Sequence, residues 1–398
     1  MKRKFPWLTG YQWLWILYLL IAVACWGLKV LGHNQNNFLI FRGSFYHLIH
    51  QLNLYAAYPA EHNDYYYYGP LFGLFFAPFA LPPKIIGLLL WETANAAAFL
   101  YVIHLLPFSI RRKKLLLLFC AIEFANSVFS EQFNPMIAAF IILSFLLVEK
   151  KQDVWATFLI VLGALMKLYP IAGLAFFMFS KNKPRFILFT LIWGVVLLAL
   201  PALFCGPDFL IESYRHWLPA VAHKNSLNHD LLARSQDICI MGVVRDFTQD
   251  PNIPDLPFLI FGAIVFAIPL FRFKQYRSFK FRLQIMITTL IMVVIFSTGG
   301  ESPTYIIPVT GVFLWILIQE RPFKPWIIVL IVTLLVITGL GMSDVMPPGV
   351  RHNLIGKYGM KGWPCIIAWF VISYELLFKD FTTEEAIQEE QQVITASV

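Results

Sequence analysis

The sequence is poor in charged residues. Only 14% of its 398 residues are charged, whereas 59% are hydrophobic and the mean hydropathy is +0.67. In soluble domains about a quarter of all residues are charged. This composition therefore excludes an ordinary soluble domain and indicates lipid as the solvent. Apolar runs follow one another along the whole chain, which predicts one integral membrane unit and not several soluble domains.

Cysteine is scarce as well, and the five cysteines form no CxxC pair or other metal-binding spacing. We therefore expect no metal site. A disulfide between Cys205 and Cys239 stays open, because both fall on one predicted side of the membrane while sequence cannot show proximity. The phosphate-binding pattern GxxxxGK(S/T) is absent too, and nothing indicates nucleotide binding, an ATPase or a bound cofactor.

The basic residues orient the chain. Net charge is +8, but the lysines and arginines form short clusters between apolar runs, the strongest at 111–114. Such clusters mark cytoplasmic loops of membrane proteins, so they do not indicate a nucleic-acid partner. We expect no cleavable signal peptide, because the first apolar run, 11–31, is too long and no small-residue cleavage site follows it.

The alternation of apolar runs and basic clusters predicts an all-α integral membrane protein with about 12 transmembrane helices and cytoplasmic termini. Residues 1–380 form one polytopic domain, followed by a polar cytoplasmic tail at 381–398. The predicted crossings are residues 11–31, 84–106, 115–129, 136–148, 154–166, 171–179, 186–203, 257–270, 283–296, 305–318, 326–340 and 365–377.

Two predicted outer loops, 32–83 and 206–256, hold much of the polar material. In the first, residues 38–54 have helical periodicity with polar residues on one face. Residues 71–81 are apolar, but they are short for a crossing and are interrupted by proline. Both stretches are predicted as helices that lie at the membrane surface.

Between these helices, the stretch EHNDYYYYGP places two carboxylates beside four consecutive tyrosines. Asp64, at the water–lipid boundary, can act as a general base toward a hydroxyl group, and tyrosine rings offer a platform for a sugar. The alternative is a solvated acid in an interfacial aromatic belt, where tyrosine is frequent in any case. Glu61 is the second candidate acid, because it lies farther from the Gly69-Pro70 break.

Basic residues on the predicted outer side are unusual, since the positive-inside rule disfavours them there. Lys167, which ends an apolar span in MKLYP, either neutralises a lipid phosphate or snorkels to the membrane surface. Arg351 and His352 either bind phosphate or are solvated. Arg42 lies on a predicted surface helix, which favours contact with lipid headgroups over contact with substrate.

Two polar breaks, EQFNP and ESPTY, separate apolar helices on the predicted outer side. A simple turn with proline near the start of the second helix explains Pro135, but not the hydrogen-bonding side chains of Gln132 and Asn134. Glu301 is the only acid in the second break. These breaks are therefore candidates for substrate contact.

The order and spacing of these segments resemble glycosyltransferase family 87, the polyprenol-phosphate-sugar-dependent glycosyltransferases that include α-mannosyltransferases of the GT-C fold. The resemblance extends from about residue 37 to residue 305. It rests on NLYAAYP, YYYYGPLFGLFFAPFALPP, Trp91 with Asn95, EQFNP, MKLYP, NSLN and Ser302-Pro303.

The resemblance implies a GT-C-type helical bundle whose first outer loop carries the catalytic acid, here Asp64. It implies transfer of a hexose from a polyprenyl-phosphate donor to a hydroxyl of a glycolipid or glycan, with inversion at the anomeric carbon. Mannose is the first candidate for the hexose. The reaction is expected at the outer face of the cell membrane. The partners are then membrane lipids, the donor and the acceptor. The residues assigned to the donor phosphate are Lys167, Arg351, His352 and Arg42. Those assigned to substrate binding are Asn37, Tyr67, Tyr68, Gln132, Asn134, Asn225, Ser226, Glu301 and Tyr305.

Three positions depart from the family pattern. Many members have aspartate where this chain has Asn37, Glu131 replaces a turn glycine, and Tyr305 lies where a histidine often follows Ser-Pro. A catalytically inactive relative is therefore one alternative. A polytopic transporter or lipid flippase is another, although such proteins typically show repeats or several mid-span charges. Here no repeat is seen, and mid-span charges such as Glu92 and Glu123 are few.

Overall fold

The computed structural model of the protein describes residues 11–229 and 236–383. The basic N-terminal residues and most of the acidic tail, both predicted to be cytoplasmic, lie outside the described residues. Within them the chain forms helices and no strand, which confirms the all-α prediction. The α-helices are α1 (Gln12–Leu31), α2 (Asn36–Ile49), α3 (Pro70–Phe75), α4 (Ala77–Ala80), α5 (Lys84–Leu105), α6 (Ile110–Phe129), α7 (Asn134–Glu149), α8 (Asp153–Met166), α9 (Lys183–Ala199), α10 (Ala202–Cys205), α11 (Pro207–Asn228), α12 (Ile240–Thr248), α13 (Leu256–Ala267), α14 (Phe279–Ile295), α15 (Ile306–Leu317), α16 (Pro325–Thr333), α17 (Pro348–Val350) and α18 (Trp363–Phe378).

Tighter and wider helical turns connect or extend these elements. The 3-10 segments are Tyr169–Phe179, Ile268–Phe271, Phe273–Arg277, Ser302–Tyr305 and Met360–Gly362, and the π-helical segments are Leu334–Leu340 and Arg351–Gly356.

All twelve apolar segments predicted to cross the membrane are helical. Among the described residues, four helices are both long and apolar enough for a crossing, which requires about 20 residues for a hydrocarbon core of about 30 Å. The number of crossings and their orientation stay predictions, because the other apolar helices are shorter. The four long helices are Gln12–Leu31, Lys84–Leu105, Lys183–Cys205 and Met360–Phe378.

Both segments predicted as surface helices are helical, in shorter form, and their place at the membrane surface stays a prediction. α2 ends at Ile49, and residues 71–81 fold as two helices of six and four residues, α3 and α4. At about 1.5 Å per residue, neither of these is long enough to cross a membrane. They pack on α2 so closely that a Cβ on Gly73 would lie 2.9 Å from the Ser44 carbonyl oxygen.

Burial divides the helices into a core and a periphery. Every residue of α15 is buried, and α7 and α14, which pack against it, are buried on most sides. By contrast, α9 and α13 are apolar but mostly uncovered, and Gly262 is the one buried residue of α13. Apolar helix surfaces that no protein covers are expected where helices face lipid.

An ion pair lies inside the bundle. Lys361, just before α18, and Glu123 of α6 are 1% and 2% exposed. Lys361 Nζ donates to Glu123 Oε1 over 2.5 Å and to the Thr338 carbonyl oxygen over 2.6 Å. The lysine thus supplies the partner that a buried carboxylate needs in apolar surroundings. The sequence predicts Lys361 in an outer loop between the last two crossings, whereas the structure buries it.

Much of the predicted outer segment 206–256 is helical, since α11 and α12 occupy most of its described part. The disulfide left open by the sequence is not formed, because Cys205 and Cys239 are both free and buried. The Cys239 thiol instead donates to Asp237 Oδ1 over 2.9 Å. This segment therefore folds over one end of the bundle without a covalent link.

Candidate functional site

A cavity of about 640 Å³ lies at one end of the bundle, and we call it the polar cavity. It is enclosed by the start of α2 and the tyrosine run, the end of α8, α11, the start of α13 and the end of α14. The residues of its wall that can form hydrogen bonds through their side chains are Asn37, Asp64, Tyr65, Tyr67, Tyr68, Gln132, Lys167, Tyr169, Trp217, Lys224, Asn225, Asn228, Gln236, Asp255, Ser297, Thr298 and Glu301.

The turn between α6 and α7 anchors the start of α2 at this cavity. Glu131 in that turn has a φ of 58°, a left-handed conformation that glycine adopts most easily. Its carboxylate accepts the Phe38 backbone N–H over 2.7 Å and lies 3.5 Å from Lys29 Nζ. Asn37 Nδ2 donates to the Ser130 carbonyl oxygen over 2.8 Å. A residue other than glycine pays a conformational cost in this left-handed geometry. The contacts of the Glu131 side chain to the first turn of α2 offset that cost.

One of the four consecutive tyrosines is buried in the protein, and the other three face the polar cavity. Tyr66 is buried and donates its hydroxyl to a backbone carbonyl, whereas Tyr65, Tyr67 and Tyr68 line the polar cavity. The Tyr68 hydroxyl donates to Gln132 Oε1 over 3.2 Å, which holds the ring against the turn before α7. Half-buried tyrosine rings that face a cavity are suited to bind a sugar, as the sequence predicts.

Asp64 lines the polar cavity with an exposed side chain. Its Oδ1 accepts the Tyr65 backbone N–H over 2.7 Å, which fixes the carboxylate at the start of the tyrosine run. Among the described residues, no cation lies within ion-pair distance of this carboxylate. A carboxylate that faces a cavity without a paired cation is able to accept a proton from a bound hydroxyl group.

Two lysines and a second carboxylate share the cavity with Asp64. Burial raises the pKa of Glu301, and the charge of Asp64 acts in the same direction, while Lys224 and Lys167 act against it. Burial also lowers the pKa of Lys167 to about 8, against the opposing effect of Glu301. Asp64, Lys167 and Lys224 are therefore close enough for their charges to influence the protonation of Glu301.

Three polar motifs of the sequence meet at Lys167. Its Nζ donates to Asn134 Oδ1 over 2.8 Å, and Asn134 Nδ2 donates to the Pro303 carbonyl oxygen over 3.0 Å. The ammonium also lies 5.0 Å from the ring centroid of Tyr169. Asn134 itself is fully buried and does not reach the cavity. The segments EQFNP, MKLYP and ESPTY thus form one hydrogen-bonded unit that positions Lys167 in the wall.

α11 supplies cavity residues that the sequence interpretation missed. Lys224 Nζ donates to Gln236 Oε1 over 2.8 Å and lies 5.4 Å from the Tyr67 ring centroid. The sequence predicts a loop here, but the cavity residues recur with helical spacing, a signal that the sequence carries. The missed residues are Trp217, Val221, Lys224 and Asn228, which line the cavity beside the predicted Asn225.

A cluster of ionic side chains supports the wall from behind. Arg245 is buried and contacts Asp237 at 2.9 Å, and it also pairs with Asp255, which lines the cavity. His229 Nε2 lies 3.1 Å from Asp255 Oδ2. The cluster connects the end of α11 with α12 and α13. No group of described residues is arranged to hold a metal ion.

Some predicted site residues in the first outer segment lie outside the cavity wall. Glu61 turns toward His47 of α2, with 3.2 Å between Oε2 and Nε2. Arg42 Nε donates to the Ala80 carbonyl oxygen over 3.1 Å and so holds the end of α4 against α2. The structure thus brings Asp64 to the cavity but not Glu61 or Arg42.

Other predicted site residues are likewise outside the wall. Arg351 pairs with Asp344, and His352 next to it is exposed. Tyr305 is buried and donates its hydroxyl to the Ile238 carbonyl oxygen over 2.6 Å. Ser226 is exposed and its hydroxyl donates to the backbone of its own helix, whereas its neighbour Asn225 reaches the cavity.

The chain matches the profile of glycosyltransferase family 87 over residues 66–298. This range is more than half of the chain and includes Lys167 and Lys224, while Asp64 and Glu301 lie outside it. No curated protein and no solved structure matches the chain. The chain therefore belongs to glycosyltransferase family 87, which confirms the resemblance seen in its motifs.

Proposed function

We propose that the protein transfers a hexose from a polyprenyl-phosphate donor to a hydroxyl acceptor on a glycolipid or glycan, with mannose as the first candidate for the hexose. Membership in a glycosyltransferase family supports the transfer itself. The observation that carries the proposal is one cavity in which Lys167 and Lys224 share the space with the carboxylate of Asp64, which has no cationic partner among the described residues. A base for the acceptor and cations for a leaving phosphate are the groups that this reaction requires.

In the proposed reaction, Asp64 takes the proton of the acceptor hydroxyl while the acceptor oxygen attacks the anomeric carbon of the sugar. The bond between that carbon and the phosphate oxygen breaks, and polyprenyl phosphate leaves with the electron pair. Attack from the side opposite to the phosphate inverts the anomeric configuration. Lys167 and Lys224 stabilise the negative charge on the leaving phosphate. Glu301 and the rings of Tyr67 and Tyr68 bind the sugar.

The apolar part of the cavity wall supports a lipid-linked donor. Leu168, Ile171 and Leu259 line the cavity and are 48%, 51% and 40% exposed. Leu259 belongs to α13, one of the two helices with little protein cover. A polyprenyl chain can lie against these side chains with its phosphate at Lys167, because water is displaced from apolar surface on both partners.

Charge supports an active site at the outer face of the membrane. α7 begins at Asn134, beside the cavity wall, and ends at Glu149, next to Lys150 and Lys151. α14 follows the basic segment Phe273–Arg277 and runs toward the cavity. Basic clusters thus lie at the end of the bundle away from the cavity, the end that the positive-inside rule assigns to the cytoplasm.

The departure at Asn37 does not remove the proposed base. Its side chain, at the start of α2, lines the cavity but donates to the Ser130 carbonyl oxygen in the turn between α6 and α7. An ionised aspartate has no proton for such a bond, so the amide suits the contact made here. A catalytically inactive protein is the second candidate, because the residue that many family members carry at this position is absent.

The proposal is tested by transfer from a radiolabelled polyprenyl-phosphate mannose to membrane acceptors, with purified full-length protein. We expect label in a glycolipid or glycan fraction, and no label when a nucleotide-linked mannose replaces the lipid donor. A nucleotide sugar lacks the chain that would lie on the apolar wall. No transfer from any polyprenyl-phosphate sugar would contradict the enzyme proposal and favour the inactive relative.

Donor binding is expected to weaken as pH rises from 7 to 9. A lysine is charged below its pKa, and the pKa of Lys167 is lowered to about 8, so its charge is lost over this interval. The dissociation constant for the donor should rise up to about tenfold, because roughly a tenth of the lysines stay protonated one unit above the pKa. Quenching of tryptophan fluorescence, with Trp217 in the cavity wall, measures binding without acceptor.

The matched variant for this pH prediction is Lys167→Arg, which keeps its charge over the whole interval. Its donor affinity should be nearly constant between pH 7 and pH 9, even if the absolute value is lower. The same tenfold weakening in Lys167→Arg would assign the pH dependence to another group.

A further inference from the structure

We propose that a second cavity, at the opposite end of the bundle from the polar cavity, binds a phosphate-bearing anion. It has a volume of about 570 Å³, and we call it the basic cavity. Its charged side chains are Glu149, Lys181, Lys183, Arg277 and Arg282. The proposal does not depend on the transfer reaction, because the two cavities share no lining residue.

The positions of the two cavities follow from the helices between them. α7 begins at Asn134, behind Lys167, and its last residue, Glu149, lines the basic cavity. A helix of 16 residues is about 24 Å long at 1.5 Å per residue. α14 runs the other way, with Arg282 near its start and Val293 in the wall of the polar cavity.

The charges of the basic cavity do not cancel. Arg282 is committed to Glu149, because its Nε and Nη2 each lie 2.8 Å from a carboxylate oxygen. Lys183 Nζ donates to the carbonyl oxygens of Met178 and Ser180 over 3.2 and 3.3 Å. These acceptors are neutral, so they position the ammonium group without offsetting its positive charge. This pairing leaves the cavity with an excess of positive charge.

Two further cations have no partner in the part of the chain that the structure describes. Lys181 and Arg277 line the basic cavity from different segments, and neither side chain forms a hydrogen bond or ion pair with a described residue. Together with Lys183 they present three positive charges around one concave space. The positive-inside rule explains why lysine and arginine lie at this end, but not why they converge on a cavity.

A phosphate is the anion that this arrangement fits. Arginine binds phosphate oxygens through paired N–H groups, and lysine neutralises them as a point charge. Basic pockets between membrane helices on the cytoplasmic side are suited to anionic lipid headgroups. Phe273, which begins the segment that carries Arg277, and Phe271 just before it are 60% and 69% exposed and offer an apolar surface for acyl chains. A water-soluble phosphate ester presents the same headgroup chemistry.

The test uses full-length protein in a neutral detergent and counts bound lipid by native mass spectrometry. The probes are phosphatidylglycerol, which is anionic, phosphatidylcholine, which is zwitterionic, and inorganic phosphate as a competitor. The variant K181Q/R277Q removes the two unpartnered charges without touching Lys183 or the Arg282–Glu149 pair. The matched control, K150Q/K151Q, removes two exposed charges from a neighbouring loop outside the cavity.

We expect wild type and K150Q/K151Q to bind phosphatidylglycerol more tightly than phosphatidylcholine, and K181Q/R277Q to bind it roughly 30-fold more weakly. Displacement of the lipid by inorganic phosphate would point to a soluble phosphate ester as ligand. No displacement would point to the lipid headgroup, and both results support the phosphate site. Equal binding of phosphatidylglycerol by K181Q/R277Q and wild type, with unchanged melting temperatures, would overturn it.

Discussion

Replacement of Asp64 by asparagine is expected to lower the rate of sugar transfer by about 10²- to 10⁴-fold, the usual contribution of a general base. The amide cannot accept the acceptor proton, but its oxygen can still accept the Tyr65 backbone N–H. The loop should therefore keep its conformation. The measurement is the initial rate of transfer from polyprenyl-phosphate mannose, together with the dissociation constant of the donor, which should change little.

Glu61→Gln is the matched control for Asp64→Asn. Glu61 is in the same loop and has the same chemistry, but it lies outside the polar cavity and faces His47. Its replacement should leave the rate within about twofold, because it touches no proposed reacting group. Full activity of Asp64→Asn combined with loss of activity in Glu301→Gln would contradict the assignment and make Glu301 the base.

Replacement of Lys361 by methionine is expected to lower the free energy of unfolding by about 3–5 kcal/mol, the typical cost of removing one partner of a buried ion pair. The change leaves Glu123, which is 2% exposed, without its cation and leaves the Thr338 carbonyl oxygen without its donor. Unfolding in mixed detergent micelles with increasing dodecyl sulfate measures the effect. A second buried cation is not available among the described residues near Glu123 to take its place.

Two variants separate this pair from a general effect of losing a lysine. Lys357→Met removes a lysine that lies 5.1 Å from the Tyr358 ring at the surface of the same segment, and it should cost about 1 kcal/mol or less. The double variant Glu123→Gln/Lys361→Met should be clearly more stable than Lys361→Met alone, because no unpaired charge stays buried. An equal or larger loss in the double variant would contradict this account.

The helices were the part of the fold that the sequence predicted best. Each predicted crossing is helical because apolar length and flanking charge are local properties of the chain. The prediction of a loop at 206–256 is wrong for α11 and α12, although Trp217, Val221 and Lys224 have helical spacing in the sequence. Its polar composition hid the helix, since α11 has one face toward the cavity and the other toward solvent.

Within the candidate site, local patterns identified the residue types but not their neighbours. Asp64 and Tyr67 stood out because polar groups are costly beside lipid and therefore informative. Lys224, which lies over the Tyr67 ring, carried no such signal, because a lysine in a polar segment is usually solvated. The structure brings Lys224 to the cavity and leaves Arg351 outside it.

The sequence by itself determined that this chain is an all-helical membrane protein of glycosyltransferase family 87, because composition, periodicity and short motifs do not depend on distant contacts. Only the tertiary structure decided which polar residues share a cavity and which are structural. Lys167 meets Asn134, and Lys361 meets Glu123 across 238 positions of sequence. Such pairs form only when the helices pack, since burial is what makes an unpaired polar group costly and selects its partner.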